Sequence, residues 1–291
     1  MKIAIYGSRH QDEYVERIAR LFVSLSAMGD ELVVHRKIYD YMVSKDLSDE
    51  FAEAIAKVLV IDDDSFSADV AMSIGGDGTF LRTAQWVGDK ELPIIGVNTG
   101  HLGFLAPFTV DEAAGAVELF RHGKTSILER GLIKIDSMSD LGDLWPYALN
   151  EVAVMKKDTA SMITIDARVN GSAFAVYKCD GLIVSTPTGS TGYNLSVGGP
   201  IVEPGSPSRI ISPVAAHSLS MRPLVVSAES LIELRVGSRS TSYRVSLDGR
   251  TTTLPCGTSI FASRADFVVR SVCKPDRNFY ATLRDKLYWG N

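Results

Sequence analysis

The stretch Val70-Ala71-Met72-Ser73-Ile74-Gly75-Gly76-Asp77-Gly78-Thr79-Phe80-Leu81-Arg82-Thr83-Ala84 decides how this chain is read. Its first five residues form an apolar run of strand length and its last five begin a helical pattern, so Gly75 to Thr79 occupy a turn from strand to helix. Backbone amides converge on anions in such a turn. Glycine lets the chain bend tightly and approach a phosphate closely, and the following helix presents unpaired N–H groups and the positive end of its dipole. Gly75, Gly76, Gly78 and Thr79 are therefore candidates for holding phosphates. Asp77 needs a reason to be there, since a carboxylate repels phosphate. It could accept a proton from an attacking hydroxyl, or help hold a magnesium ion that bridges phosphates. Both roles belong to phosphoryl transfer. An isolated Asp-Gly pair would more simply be a helix cap on a turn; the full five-residue string in this context favours the chemistry.

Outward from this turn, the first part of the chain alternates short β-type runs with amphipathic stretches. Ile3 to Tyr6, Leu32 to His35, Val58 to Ile61, Val70 to Ile74 and Pro93 to Val97 read as strands. Tyr14, Ile18, Leu21, Phe22 and Leu25 recur at helical spacing, and Val110 to Arg121 has the same character. This pattern predicts an α/β Rossmann-like domain with a parallel sheet over residues 1–125. The first strand is not followed by G-x-G-x-x-G after Gly7, which argues against a hydride-transferring dehydrogenase. From about Ile127 the texture changes to strand-sized runs separated by Gly, Asp, Ser and Pro: Leu132 to Ile135, Tyr147 to Val154, Ile163 to Val169, Gly181 to Ser185, Leu231 to Val236 and Tyr243 to Leu247. A mainly antiparallel β domain is expected over residues 126–274. Phe279 to Leu287 reads as a closing helix, with residues 275–291 returning to the first domain.

The 291 residues carry a net charge of −5, with 45% apolar and 22% charged composition. That is a folded chain long enough for two cores. Its overall field does not favour nucleic acid, leaving a metabolite as the expected partner. The apolar start is too short for a signal peptide, and no stretch reaches the roughly 20 apolar residues that span a bilayer, so a cytoplasmic location and no membrane partner are expected. Cys179, Cys256 and Cys273 lack paired metal-ligand spacing and read as reduced thiols.

Gly75 to Thr79 resembles the Gly-Gly-Asp-Gly signature shared by NAD kinases, diacylglycerol and sphingosine lipid kinases and, more distantly, phosphofructokinases. The second half of the chain chooses among them. Lys178-Cys179-Asp180-Gly181-Leu182-Ile183-Val184-Ser185-Thr186-Pro187-Thr188-Gly189-Ser190-Thr191-Gly192-Tyr193-Asn194-Leu195-Ser196 is similar to the substrate loop of NAD kinases. By its residues alone this is an apolar strand delivering a Ser/Thr/Gly turn rich in hydrogen-bonding groups, with Tyr193 adding an aromatic face; shorter clusters of this kind are often plain turns. Asn150-Glu151, at a strand start, could grip ribose hydroxyls or face water at an edge, and it matches the pair that contacts the dinucleotide in that family.

The resemblance implies an NAD kinase moving the terminal phosphoryl group of ATP, or of polyphosphate, to the 2′-hydroxyl of the adenosine ribose of NAD, giving NADP and ADP. Asp77 would be the general base. NAD binding would fall to Asp77, Gly78, Asn150, Glu151, Lys178, Asp180, Thr188, Thr191, Gly192, Tyr193, Asn194, Leu195, Ser196, Asp248 and Arg250. Mg2+ or another divalent ion would arrive with ATP, with Asp77 as a possible ligand and no fixed protein ligand set. A homodimer or homotetramer is implied. Four positions depart from the family's usual residues: Gly192 for Ala, Cys179 for Gly, Lys178 for Arg, and Arg250 for Gln. Asn98 and His101 resemble part of a glycine-rich loop, His101 with a supporting role. Arg222-Pro223 reads as a strand entry. A lipid kinase would need an apolar acceptor pocket and a route to a membrane surface, and neither a basic amphipathic helix nor a lipidation signal is visible. A dinucleotide sensor without catalysis is the remaining rival, and the retained Asp77 argues against it.

Overall fold

The computed structural model describes residues 1–9, 11–100, 103–157 and 162–288; His101 lies outside them. The chain forms two compact units, Met1–Glu129 with Val269–Asn291, and Arg130–Val268.

In the first unit, strands β1 (Lys2–Gly7), β2 (Glu31–His35), β3 (Leu59–Ile61), β4 (Val70–Ile74) and β5 (Ile94–Asn98) run parallel in the order β3-β2-β1-β4-β5. Every residue of β4 and β5 is buried, as expected of a parallel sheet covered on both faces. Helices α1 (Val15–Ala27), α2 (Arg36–Val43), α3 (Asp49–Ile55), α4 (Asp77–Val87) and α5 (Ala113–Arg121) supply the cover. α1 forms because Val15, Ile18, Ala19, Leu21, Phe22 and Leu25 line one face and are buried; at roughly 1.5–3 kcal/mol for each large side chain, that stripe dominates the modest helix propensity of its Val and Ser.

Strand order places the functional turn. The chain runs outward from β1 through β2 to β3 and then returns to lay β4 on the other side of β1, so the order reverses between β1 and β4. Open α/β sheets bind ligands beyond the carboxyl ends of the strands at such a reversal. Gly75 follows β4 at that point, and the Ser8 amide after β1 donates to the Ile74 carbonyl at 3.2 Å.

After the short β6 (Phe108–Thr109), the remaining strands are β7 (Ile127–Ser137), β8 (Tyr147–Ala148), β9 (Glu151–Lys156), β10 (Ile163–Val169), β11 (Ser172–Cys179), β12 (Gly181–Ser185), β13 (Ser208–Val214), β14 (Leu224–Ser227), β15 (Ile232–Gly237), β16 (Ser242–Leu247), β17 (Arg250–Pro255) and β18 (Ser259–Val272). Within the second unit β11-β10-β15-β18 make one antiparallel set and β14-β13-β12-β9-β16-β17 another. Alternate residues of both sets, among them Ile163, Ile165, Leu234, Val152, Val154, Leu182 and Val245, close one apolar core. Two hairpins turn on Asn170-Gly171 and Asp248-Gly249, whose φ values of 51° and 78°, and 48° and 82°, demand residues that tolerate the left-handed region. A short helix α6 (Tyr193–Ser196) follows the Ser/Thr/Gly loop, and α7 (Phe279–Leu287) belongs to the first unit.

The expected single strand Tyr147 to Val154 is broken at Leu149-Asn150. β8 pairs with β7, whereas β9 pairs with β12 and β16, so the chain changes sheets there. The freed backbone groups at the break are taken up by the site described next.

Candidate active site

Gly76 caps α4, which begins at Asp77. Gly75 has φ +148°, and a Cβ there would lie 2.4 Å from Thr79 Oγ1, so both its conformation and its space require glycine. Gly76 and Gly78 are exposed at the helix start, where an anion can approach, while Thr79 is buried and its amide donates to the Gly76 carbonyl at 2.8 Å, as the Gly75 amide does to the Val97 carbonyl at 2.8 Å. The Asp77 carboxylate is held rather than loose. Its Oδ2 accepts from the Phe104 amide at 2.9 Å and its Oδ1 from the Leu105 amide at 3.0 Å. Gly103 lets this happen: a Cβ on it would fall 1.8 Å from Asp77 Oδ1. Gly96 in β5 does the same for the returning chain, since its Cβ would meet the Leu105 carbonyl at 2.5 Å. The Asp77 side chain keeps 31% of its exposure, so a pinned carboxylate still faces solvent. Asn98, at the end of β5, accepts from the Gly100 amide at 2.7 Å and shapes the same loop.

In the second unit Asn150 and Glu151 stand at the break between β8 and β9. Asp248, in the β16–β17 hairpin, turns its carboxylate onto three successive amides, those of Leu149 at 2.7 Å, Asn150 at 2.8 Å and Glu151 at 3.1 Å. The substrate-loop segment latches onto the same break. Thr186 donates from its amide to the Asn150 carbonyl at 2.9 Å and from Oγ1 to the Leu149 carbonyl at 2.6 Å, and a Cβ on Gly189 would lie 2.1 Å from the Asn150 carbonyl. The Tyr193 amide donates to the Glu151 carboxylate. Burial, with Asp248 nearby, pushes the Glu151 carboxyl up to about 7. Glu151 Oε2 and Asn150 Oδ1 are buried with no hydrogen-bond partner among the described residues. Two unmatched acceptors side by side are a site for hydroxyl or amide donors from a ligand.

The other expected residues divide by what they touch. Thr188 is buried and accepts from the buried Arg130 guanidinium at 3.2 Å, and Thr191 Oγ1 reaches the Thr188 carbonyl at 3.5 Å. A Cβ on Gly192 would lie 3.2 Å from Glu151 Oε2, so the glycine leaves slight extra room beside that oxygen. Tyr193 is 39% exposed, and Ser196 is also exposed, with Leu195 half-buried between them. Asn194 is fully buried and spends its amide inside the loop, donating to the Ser190 and Pro200 carbonyls while accepting from Ser212 Oγ at 2.7 Å. Asp180 pairs with Lys156 at 2.7 Å, and Lys178 is exposed on β11. Arg250 donates to the Trp145 and Tyr147 carbonyls at 2.8 and 2.6 Å and lies over the Trp145 ring, 5.1 Å from its centre. That guanidinium bolsters the strand leading into Asn150. Cys179 is buried and its thiol pushed up to about 11, an inert packing group, and all three cysteines are free thiols.

Residues 5–125 match the ATP-NAD kinase N-terminal domain and residues 149–260 the ATP-NAD kinase C-terminal domain. An NAD kinase of Porphyromonas gingivalis is 44% identical over 289 residues, covering 99% of this chain and 98% of the relative. The chain belongs to the NAD kinase family. Transfer of a phosphoryl group from ATP to NAD is the activity of that family, and the chain is an enzyme of this class. An NAD kinase from Archaeoglobus fulgidus, solved in complex with ATP, is 27% identical, with a TM-score of 0.74 over 98% of this chain and 99% of that one. Yeast NADH kinase, solved with NADH, shares the fold with a TM-score of 0.89 over 100% of this chain and 88% of its own, at 21% identity.

Read as an NAD kinase, the chain holds two features that its sequence left unassigned. Gly103, Phe104 and Leu105 stand in the glycine-rich stretch after Asn98, yet their hold on Asp77 is a contact between the loops that follow neighbouring strands β4 and β5. The available signal was the parallel order itself, which brings those loops together. Arg130 carried no signal; it is one basic residue in an ordinary β run.

Proposed function

We propose that Asp77 is the general base of an NAD 2′-kinase, and that Asn150, Glu151 and the loop from Thr188 to Ser196 bind the dinucleotide. The observation that carries this reading is the pinned carboxylate: two backbone amides fix Asp77 at the start of α4, beside a glycine turn in which Gly76 and Gly78 are exposed. The 2′-hydroxyl gives its proton to an Asp77 oxygen, the hydroxyl oxygen attacks the terminal phosphorus of ATP, and the bond to the bridging oxygen breaks to release ADP. Phosphoryl transfer passes through a loose transition state, so alignment and charge neutralisation supply most of the acceleration and proton removal a smaller part. Unmatched Glu151 Oε2 and Asn150 Oδ1 take donors from the dinucleotide. Gly76 and Gly78 receive the donor phosphates, while Gly75 and Thr79, whose amides donate to the Val97 and Gly76 carbonyls, hold the turn in shape. Asp248 and Arg250 act on NAD through the backbone they hold, and Asp180 and Lys178 complete the set at the end of β11.

Among the described residues no group of three or more His, Cys, Asp or Glu side chains converges to hold a metal. The donor set suits magnesium carried on the phosphates, which commonly keeps several waters and one or two carboxylates, here Asp77. Such an ion, when bound, offsets phosphate charge. No helix among the described residues is long and apolar enough to cross a membrane. We take the chain to act in the cytoplasm as a homodimer or homotetramer, on metabolites rather than on nucleic acid or lipid surfaces.

The test is NADP formation by the purified full chain with ATP, magnesium and NAD, detected with an NADP-specific dehydrogenase against a control lacking NAD. NADP appearing only with both substrates supports the reading. Binding of NAD without NADP formation, with ATP or polyphosphate, would favour a sensor, and no NAD binding would remove the assignment of the second-unit residues.

A further inference from the structure

The Asp77 carboxylate has a third neighbour, from a part of the chain far away in sequence. Lys286 Nζ lies 3.9 Å from Asp77 Oδ2 and 5.0 Å from the centre of the Phe104 ring. The lysine is on α7, and its position is built. Phe279, seven residues earlier and so two turns back on the same face, packs against Phe104 at 6.2 Å between ring centres. Asn278 caps the helix by accepting from the Ala281 amide at 2.9 Å, and Arg277 pairs with Asp285 at 2.6 Å. One face of α7 therefore lies along the turn that grips Asp77.

The Lys286 ammonium is near Asp77 without a hydrogen bond to it, whereas Lys156 closes on Asp180 at 2.7 Å. Lys286 stands short of that contact, with 36% of its side chain exposed. Its three N–H donors are thus not committed to the carboxylate. The charge arithmetic at this turn calls for a cation. A triphosphate held at Gly75 to Thr79 brings several negative charges up to the Asp77 carboxylate, and the α4 dipole supplies only about half a positive charge. Among the described residues the cation paired with Asp77 is Lys286, and Arg82, which donates to Thr79 Oγ1 at 3.4 Å, adds a second positive charge at the turn.

We propose that Lys286 is a catalytic residue of phosphoryl transfer, its ammonium contacting the oxygens of the phosphoryl group as it passes to the hydroxyl that Asp77 deprotonates. This rests on Asp77 being the base. The ammonium balances the charge of the group in flight and keeps the proton on its own nitrogen, so it neither gives nor takes a proton in the step.

The experiment compares Lys286→Met and Lys286→Arg in the full chain, beside Asp77→Asn, by kcat, KM for ATP, KM for NAD and melting temperature. The Met variant keeps the aliphatic stem over Phe104 and removes the charge. It should lose about 10²-fold in kcat/KM for ATP, the scale for removing one charge-stabilising donor, with KM for NAD within twofold and an unchanged melting temperature. Arg should recover at least tenfold of that loss. Wild-type kcat/KM in the Met variant overturns the proposal, as does an equal loss in Met and Arg with lowered melting temperatures, which would make Lys286 a helix anchor. If Lys286→Met does not fold, Lys286→Gln takes its place under the same criteria. Asp77→Asn reports separately: full turnover in that variant defeats the base assignment whatever Lys286 does.

Discussion

Replacing Glu151 by Gln should make the ligand-free protein more stable at alkaline pH while weakening its hold on NAD. Glu151 is half-buried with its Oε2 fully covered, lies near the Asp248 carboxylate, and leaves Oε2 without a partner among the described residues. A rise from 4.5 to about 7 corresponds to ~3 kcal/mol of preference for the neutral form in the folded state. The sign follows from linkage: with the folded value above the unfolded one, the stabilising contribution of the neutral carboxyl is present below pH 4.5 and is lost as pH rises through about 7. Gln keeps the shape and cannot ionise. Unfolding by urea at pH 8 should therefore show Glu151→Gln more stable than wild type by ~3 kcal/mol, shrinking to less than about 1 kcal/mol near pH 5. NAD affinity, by titration calorimetry at pH 8, should fall in the same variant because an ionised acceptor is exchanged for a neutral one. A variant no more stable than wild type at pH 8, or a difference that does not change with pH, would refute the reasoning.

Two further substitutions probe the scaffolding. Gly103→Ala places a methyl group 1.8 Å from Asp77 Oδ1 and must displace a carboxylate tethered by two amides, so kcat should drop about 10²-fold, the cost of misplacing a reacting group by about an ångström; steady-state assays giving wild-type kcat would show that the tether is dispensable. Asp248→Ala strips the acceptor from three amides, for a loss of about 3 kcal/mol or more in urea unfolding together with a raised KM for NAD, whereas Asp248→Asn, which keeps an acceptor and tolerates the φ of 48°, should lose less. Equal stability of the Ala and Asn variants would count against the carboxylate as an organiser.

Much of this was legible in the sequence because local and long-range signals agreed. Val70 to Ile74 followed by glycines gave strand, turn and helix correctly, since a fully buried parallel strand and an N-terminal glycine turn both write themselves locally. α2 and α3 escaped because α2 buries only Ile38 and Met42, and α3 is seven residues long, its start marked by Ser48, whose hydroxyl accepts from the Phe51 amide. Tyr147 to Val154 misled as one strand because alternation carries no sign of a change of sheet; the break exists for Asp248, about a hundred residues away. The clamp on Asp77 and the approach of Lys286 are contacts between segments 27 to 209 residues apart, which no periodicity encodes. Arg250 shows the reverse case: its place in a family motif marked it for NAD, while its guanidinium donates to two carbonyls of its own chain.

The central claim is that a pinned Asp77 takes the proton of the attacking hydroxyl. It is met most directly by measuring kcat and the NAD dissociation constant of Asp77→Asn beside wild type, with melting temperature as the control for folding. The account predicts turnover reduced by roughly 10²-fold or more, with NAD binding and melting temperature close to wild type. Turnover near the wild-type value in a folded, NAD-binding variant would contradict it.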